Sequence, residues 1–480
     1  AALVTLAALV AFAAGSAWFA WQQHQEAARA NALAAFSQQI LASVDPAEAR
    51  GMDTTLLQKI LDAALNRVDS ELAGQPRSQV AMLNAVGYAA LQIGEIEQAR
   101  AAFQHGVEIG VASLPADDVL TLDAQANLSA ALIHLQKFSE GDALLRDVIE
   151  ARTRVFGSEH AETLNAISSL AFSFDRQGRW PEARELLEKL LEIRMRRLGR
   201  EHDDTLMTLN NLANALDSMG ETERALGMFR QVLDVQARTI GEDHPKTLAT
   251  MNNLAGASST LGRTAEAAAL YERALGIKRR VLGQNHPSLI TTLVNLGVFY
   301  IEAKNFEKAD AMLTEADASA KDAGAAAIVQ RLGALNALAR LRRMQGRKEE
   351  AIPFATSCLE IATEVFGEAH PSVVTIAANL ASAELEVGRC EDALGHARRA
   401  RSIAERLEPP PAAGIASADW IIGRIHAARG EAGEARAIFQ QLLQIPEVLR
   451  TIRASMPADV EGALKAIEDG QASDSPCADR

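Results

Sequence analysis

Apolar and small residues recur along most of this chain at the three- and four-residue spacing of an amphipathic helix, in segments that come in pairs. In the stretch HPKTLATMNNLAGASSTLGRTAEAAALYERALGIKRRVLGQN, Pro245 opens a first segment with Leu248, Met251, Leu254 and Leu261 on one stripe. Proline suits a first helical turn, where an N–H would have no intrahelical partner. Gly262 ends the run, and Ala267, Leu270, Tyr271, Ala274 and Val281 line a second, longer helix. The predicted unit is a helical hairpin.

The hairpin repeats on a fixed ruler. Gly157, Gly199, Gly241, Gly283 and Gly367 are spaced by 42, 42, 42 and 84 residues, and His160, His202, His244, His286 and His370 keep the same intervals. A second glycine series, Gly94, Gly178, Gly220, Gly262, Gly346, Gly388 and Gly430, follows the same period with units skipped at Gln136 and Lys304. Five residues after each position except Gln136, which Gly141 follows, stands an alanine: Ala99, Ala183, Ala225, Ala267, Ala309, Ala351, Ala393 and Ala435. A hairpin cannot bury its apolar stripe alone, so a period of this size implies units stacked as a solenoid. About nine 42-residue frames span residues 77–454.

The small residues Ala213, Ala255 and Gly297, the turn glycine, the buried alanine and the aromatics Phe229 and Tyr271 resemble the tetratricopeptide repeat, or TPR. The longer period and the linkers GEDHPKTL and GQNHPSLI resemble its kinesin light chain variety. That resemblance implies an all-α, right-handed α-α superhelical TPR solenoid. The seventh frame lacks the GxxHP linker and the ninth replaces it with Pro409, Pro410 and Pro411, so irregular joints are expected there.

Residues 1–21, AALVTLAALVAFAAGSAWFAW, carry no charge and would make about 31 Å of helix, near the ~30 Å hydrocarbon core of a bilayer. Trp18, Phe19 and Trp21 would sit at the headgroup boundary. The expectation is a single transmembrane helix preceding the solenoid, with juxtamembrane helices over residues 22–76. Ala7, Ala11 and Gly15 would let two such helices approach, which is the basis for expecting a homodimer. The flank after the span lacks a basic cluster, which places the repeats outside the cytoplasm, on a single-pass inner-membrane protein. This order of segments resembles the part that follows the kinase domain in bacterial transmembrane serine/threonine protein kinases. The chain itself has no glycine-rich phosphate loop, HRD or DFG, so a catalytic lobe would lie upstream of Ala1. Residues 455–480 are expected to form a C-terminal helix and a mobile tail.

Composition narrows the function. Acidic residues number 62 against 48 basic ones, a formal charge of −14, which argues against a phosphate-backbone partner. Cys358, Cys390 and Cys477 form no CxxC pair and no even-numbered framework, so no disulfide scaffold or zinc site is expected. The linker histidines recur about one helix spacing apart, too far to share a metal, and are read as shaping the loop and starting the next helix. The basic runs Arg194, Arg196, Arg197 and Lys278, Arg279, Arg280 are read as a solvated face at the ends of second helices. No HExxH, GxSxG or Walker motif appears, so neither catalysis nor a cofactor is expected.

The most informative polar feature is an asparagine column on the first helices: Asn127, Asn211, Asn253, Asn295 and Asn379, doubled by Asn210 and Asn252. An amide offers both donor and acceptor, which an extended peptide main chain requires. In arrays of the kinesin light chain type, similar asparagines hold peptide main chain on the concave surface, and the resemblance implies the same here. The competing reading is that the amides bond to adjacent units and order the stack. Three functions are therefore open: a membrane-anchored module that binds a peptide or partner protein, the regulatory part of a transmembrane kinase, or a scaffold without ligand.

Overall fold

The computed structural model describes residues 54–93, 95–407, 411–445, 456–469 and 477. Among these residues the protein has twenty α-helices and no strand. Helix α1 (Thr54–Glu71) precedes nine hairpins. These are α2 (Pro76–Ile93) with α3 (Ile96–Ser113), α4 (Val119–His134) with α5 (Phe138–Phe156), α6 (Ala161–Arg176) with α7 (Trp180–Leu198), and α8 (Asp203–Ser218) with α9 (Thr222–Thr239). They continue with α10 (Pro245–Thr260) and α11 (Thr264–Val281), α12 (Pro287–Glu302) and α13 (Phe306–Ala323), and α14 (Ile328–Met344) and α15 (Lys348–Phe366). The last two are α16 (Pro371–Glu386) with α17 (Cys390–Arg406) and α18 (Ala412–Ala428) with α19 (Ala432–Leu443), after which comes α20 (Met456–Glu468), the last helix among the described residues. By internal contacts the chain divides into two compact units, Ala1–Val232 and Leu233–Arg480. Each has TPR-like packing, α1 to α8 in the first unit and α10 to α20 in the second each lying against their sequence neighbours.

The linker histidines start helices in a specific way. Nδ1 of His160, His202, His244, His286 and His370 accepts the backbone N–H two residues on, at 3.3, 3.2, 3.2, 3.1 and 3.1 Å. Each ring thus satisfies one of the N–H groups that a helix start leaves orphaned, the task usually given to Ser, Thr, Asn or Asp. His160 and His370 also stack on Phe156 and Phe366, with ring centroids 4.6 and 4.4 Å apart, which fixes the ring that does the capping. Where the seventh frame lacks this linker, a short 3-10 turn (Gly324–Ala327) leads into α14 instead.

Turns within hairpins share one geometry. At Gly262 the chain takes φ +70°, with Gly262 N–H donating to Ser259 O at 2.9 Å and Arg263 N–H to Ser258 O at 2.8 Å. Gln136 and Lys304 fill the glycine position in their frames and are forced to φ 59° and 56° with the same pair of bonds. They are the positive-φ non-glycine residues among those described, so the turn shape is imposed by the hairpin rather than by glycine. The following alanines, Ala99 to Ala435 on the ruler, have 0% exposure in all eight frames and let the paired helices cross closely. At Gly297 an added Cβ would lie 2.5 Å from Leu313 Cγ, so α12 and α13 meet there without room for a side chain.

Arg194 and Lys278 are not part of a solvated face, contrary to expectation. Arg152, Arg194, Gln236 and Lys278, 42 residues apart on successive second helices, are all buried, at 4%, 1%, 4% and 2% exposure. Each reaches the first turns of the next first helix. Arg152 donates to Glu162 O at 2.9 Å and pairs with Asp123. Arg194 donates to Asp204 O at 3.2 Å, Thr208 Oγ1 at 2.8 Å and Asn165 Oδ1 at 2.8 Å. Gln236 accepts from Thr250 Oγ1 at 2.8 Å. Lys278 donates to Ser288 O at 3.0 Å and Thr292 Oγ1 at 2.8 Å. The buried polar ends are therefore bonded, which is the condition for tolerating them inside. Among the described residues no carboxylate pairs with Lys278, and burial pulls its ammonium down to about 8.

Two further expectations are corrected. No helix among the described residues is long and apolar enough to cross a membrane. Residues 1–21, on which the transmembrane expectation fell, lie outside the described residues, as do 22–53. The description of a solenoid preceded by a transmembrane helix is therefore not upheld, nor are the inner-membrane placement and the homodimer drawn from it. The cysteines do pair: Cys390 and Cys477 form a disulfide, with Cα atoms 6.0 Å apart, across 87 residues of sequence. A separation so long gives no motif that spacing could reveal.

Two outcomes follow. Gln136→Gly and Lys304→Gly relieve left-handed strain and should each stabilise the protein by about 0.5–1 kcal/mol, read from urea denaturation midpoints. Lys278 releases its proton near pH 8 when folded but near 10.4 when unfolded, so the unfolded chain holds more protons in that window and stability rises with pH across it. Comparing the pH dependence of unfolding in the native chain and in Lys278→Met should show that rise, on the order of 2 kcal/mol, absent from the variant.

Candidate peptide-binding face

Within each unit the first helices of the hairpins form a layer of their own. In the first unit α2 packs on α4, α4 on α6 and α6 on α8, and in the second α10 packs on α12, α12 on α14 and α16 on α18, most closely α2 on α4, α12 on α14 and α16 on α18. Among the described residues consecutive second helices do not pack in this way. One face of each first helix is left uncovered by these neighbours. In the first unit it carries the exposed Tyr88, Phe172 and Met207 and few charges.

All seven asparagines expected at the site lie on these helices. Asn127 is on α4, Asn210 and Asn211 on α8, Asn252 and Asn253 on α10, Asn295 on α12 and Asn379 on α16. Their surroundings differ. Asn127, Asn210, Asn211, Asn253 and Asn295 are half-buried and Asn379 is exposed. Asn252 is buried at 9% exposure and donates through Nδ2 to Thr292 Oγ1 on α12 at 3.0 Å, beside the Lys278 ammonium that bonds the same hydroxyl. Asn379 Nδ2 donates to Asn336 Oδ1 on α14 at 3.1 Å. These two amides link neighbouring first helices. Asn127, Asn211 and Asn295 make no side-chain hydrogen bond among the described residues.

Chain position explains the split. Asn252 stands one residue before Asn253, and a step of one residue turns a helical side chain by about 100°, here from the outward stripe to the next helix. Asn336 belongs to the Asn252 register and escaped the sequence reading, although the 42-residue ruler places it there. Farther along the second unit the same face gains cations that are held in place. Arg340 lies 3.6 Å from Glu302, Arg343 pairs with Glu386, and the Arg424 guanidinium sits 5.8 Å from the centroid of the Trp420 ring. Among the described residues no group of His, Cys, Asp and Glu is arranged to hold a metal.

Comparisons with known proteins agree with this architecture. The sequence model of the tetratricopeptide repeat matches residues 120–195, 167–238 and 219–280, and that of the MalT-like TPR region matches residues 253–461. No curated protein matches the chain. Among solved structures, the putative kinesin light chain TPR-like repeats of Podosopora anserina are 28% identical over 42% of this chain and 96% of that one, with a TM-score of 0.37. BtubC (BKLC) from P. vanneervenii is 24% identical over 51% of this chain and 91% of its own, with a TM-score of 0.37. A Rap protein complexed with Competence and Sporulation Factor is 14% identical over 82% of this chain and 99% of its own, with a TM-score of 0.51, a likeness of fold alone. None of these matches carries the expected likeness to transmembrane kinases. With the hairpins, their turns and both repeat models in agreement, residues 120–461 of this chain are tetratricopeptide repeats.

Proposed function

We propose that the protein is an interaction module that binds an extended segment of a partner protein on the first-helix face of its first unit, using the amides of Asn127 and Asn211. One observation carries the reading: among the described residues these two side chains keep both donor and acceptor uncommitted while lying half-buried on the face. A peptide main chain presents an N–H and a C=O at nearly every residue, so an amide can serve it in both directions. Asn127 and Asn211 stand two first helices apart, about 20 Å at the usual ~10 Å spacing, and an extended peptide rises ~3.3 Å per residue, so the two amides would meet residues about six apart.

The scaffold reading keeps a narrower footing. Asn252 and Asn379 bond across to Thr292 and Asn336, and for those two positions ordering the stack is the role the contacts favour. The two roles separate by experiment. Peptides selected from a displayed random library on the full chain should lose at least tenfold in affinity, about 1.4 kcal/mol, with Asn211→Ala or Asn127→Ala. Asn252→Ala should instead lower the melting temperature and leave affinity within twofold. Selected peptides that bind the Asn127 and Asn211 variants as tightly as the native chain would remove the amides from the reading.

A further inference from the structure

Among the described residues helix α20 has no hairpin partner. Its apolar side, Met456, Val460, Ala463, Leu464 and Ile467, packs on Phe439 and Leu442 of α19 and on Trp420 of α18. It covers the apolar edge that the ninth hairpin would otherwise show to water, as terminal elements of repeat arrays must. A helix of 13 residues is marginal in water by itself, so this cover is kept by packing and by whatever restrains its ends.

One restraint is visible. Beyond α20, Cys477 is bonded to Cys390, the first residue of α17, one hairpin earlier. Both cysteines are half-buried at the edge of the core that the α14 to α18 helices build. The third cysteine does not compete. Cys358 is buried, its thiol pushed up to about 12 by burial, and its Sγ lies 3.5 Å from Leu332 O.

We propose that the Cys390–Cys477 bond is a redox-controlled tether that holds α20 over the end of the array. With the bond closed, α20 is anchored on both sides: through the chain from α19, and through Cys477 to α17. When α20 lifts off, a segment tied at both ends gains less conformational freedom than one tied at a single end, so the lifted state is less populated. Reduction leaves one anchor and lets the edge of α18 and α19 open more often. The chemistry is thiol–disulfide exchange with a low-molecular-weight disulfide such as oxidised glutathione. One cysteine thiolate attacks the reagent and expels one glutathione thiolate, and the second cysteine displaces the other from the mixed disulfide. Two S–H bonds are lost and one protein S–S bond forms. The two electrons reduce the reagent to two molecules of glutathione, which take up the two protons. A dithiol reductant reverses the exchange.

The test uses the full chain, equilibrated with oxidised glutathione or with dithiothreitol. Proteolytic fragments, separated without reduction, should contain Cys390 joined to Cys477 within one chain after oxidation only. Amides of α20 should exchange hydrogen for deuterium at least tenfold more slowly in the oxidised protein. Cys477→Ser and Cys390→Ser should abolish that difference, while Cys358→Ala, which puts alanine where Ala316 and Ala400 stand on the ruler, should keep it. Glutathione adducts or chain-to-chain links in place of the joined pair overturn the proposal. So does equal α20 exchange in the oxidised and reduced native chain, a comparison that needs no variant to fold.

Discussion

Four second helices in a row, α5, α7, α9 and α11, end against the first turns of the next first helix, and the groups they bring there are three buried cations and the amide of Gln236. The carbonyls that receive Arg152, Arg194 and Lys278 belong to Glu162, Asp204 and Ser288, each in the opening turn of the following helix. Apolar packing alone would let one hairpin slide or rotate on the next, since dispersion has little direction. A buried donor that must find its acceptor has one good position, and losing it exposes the full desolvation cost of the group. The histidine caps fix the same turns from the other side by satisfying their N–H groups. The joint between hairpins is thus pinned at the point where helix axis, turn and neighbour meet.

Lys278 shows how narrow the margin is. Arg152 has Asp123, and Arg194 has Asn165 as well as Thr208, but Lys278 relies on one hydroxyl and one carbonyl. Its hydroxyl partner, Thr292, is shared with Asn252, whose Oδ1 is buried without a partner among the described residues. The amide row and the buried column therefore touch at this place. A residue expected on the binding face has been drawn into the joint instead, and the face keeps Asn253 and Asn295 there.

How much of this was legible depends on the range of the interaction responsible. Helix starts and turns are set within a few residues. Pro245 after His244, and a left-handed residue at Gly262, make hairpin boundaries readable by eye. Gln136 and Lys304 were readable as missing glycines, though only the backbone shows that they adopt the glycine conformation regardless. The asparagine column was readable as a column. Which of its members bond to neighbours was not, because Asn252 meets Thr292 and Asn379 meets Asn336 across 40 and 43 residues.

The amino-acid sequence alone determined the 42-residue period, the all-helical hairpins and the position of each cap and turn, since these follow from periodicity and local backbone chemistry. Only the tertiary structure decided that Arg194 and Lys278 point inward while Arg196, Arg197 and Arg279 stay in ion pairs or contacts on the surface. It also decided that Cys390 meets Cys477. In both cases the deciding neighbour comes from another helix, and side chains alike in type and close in sequence are sorted by what that neighbour offers: a carbonyl and a hydroxyl in the interior, a carboxylate outside.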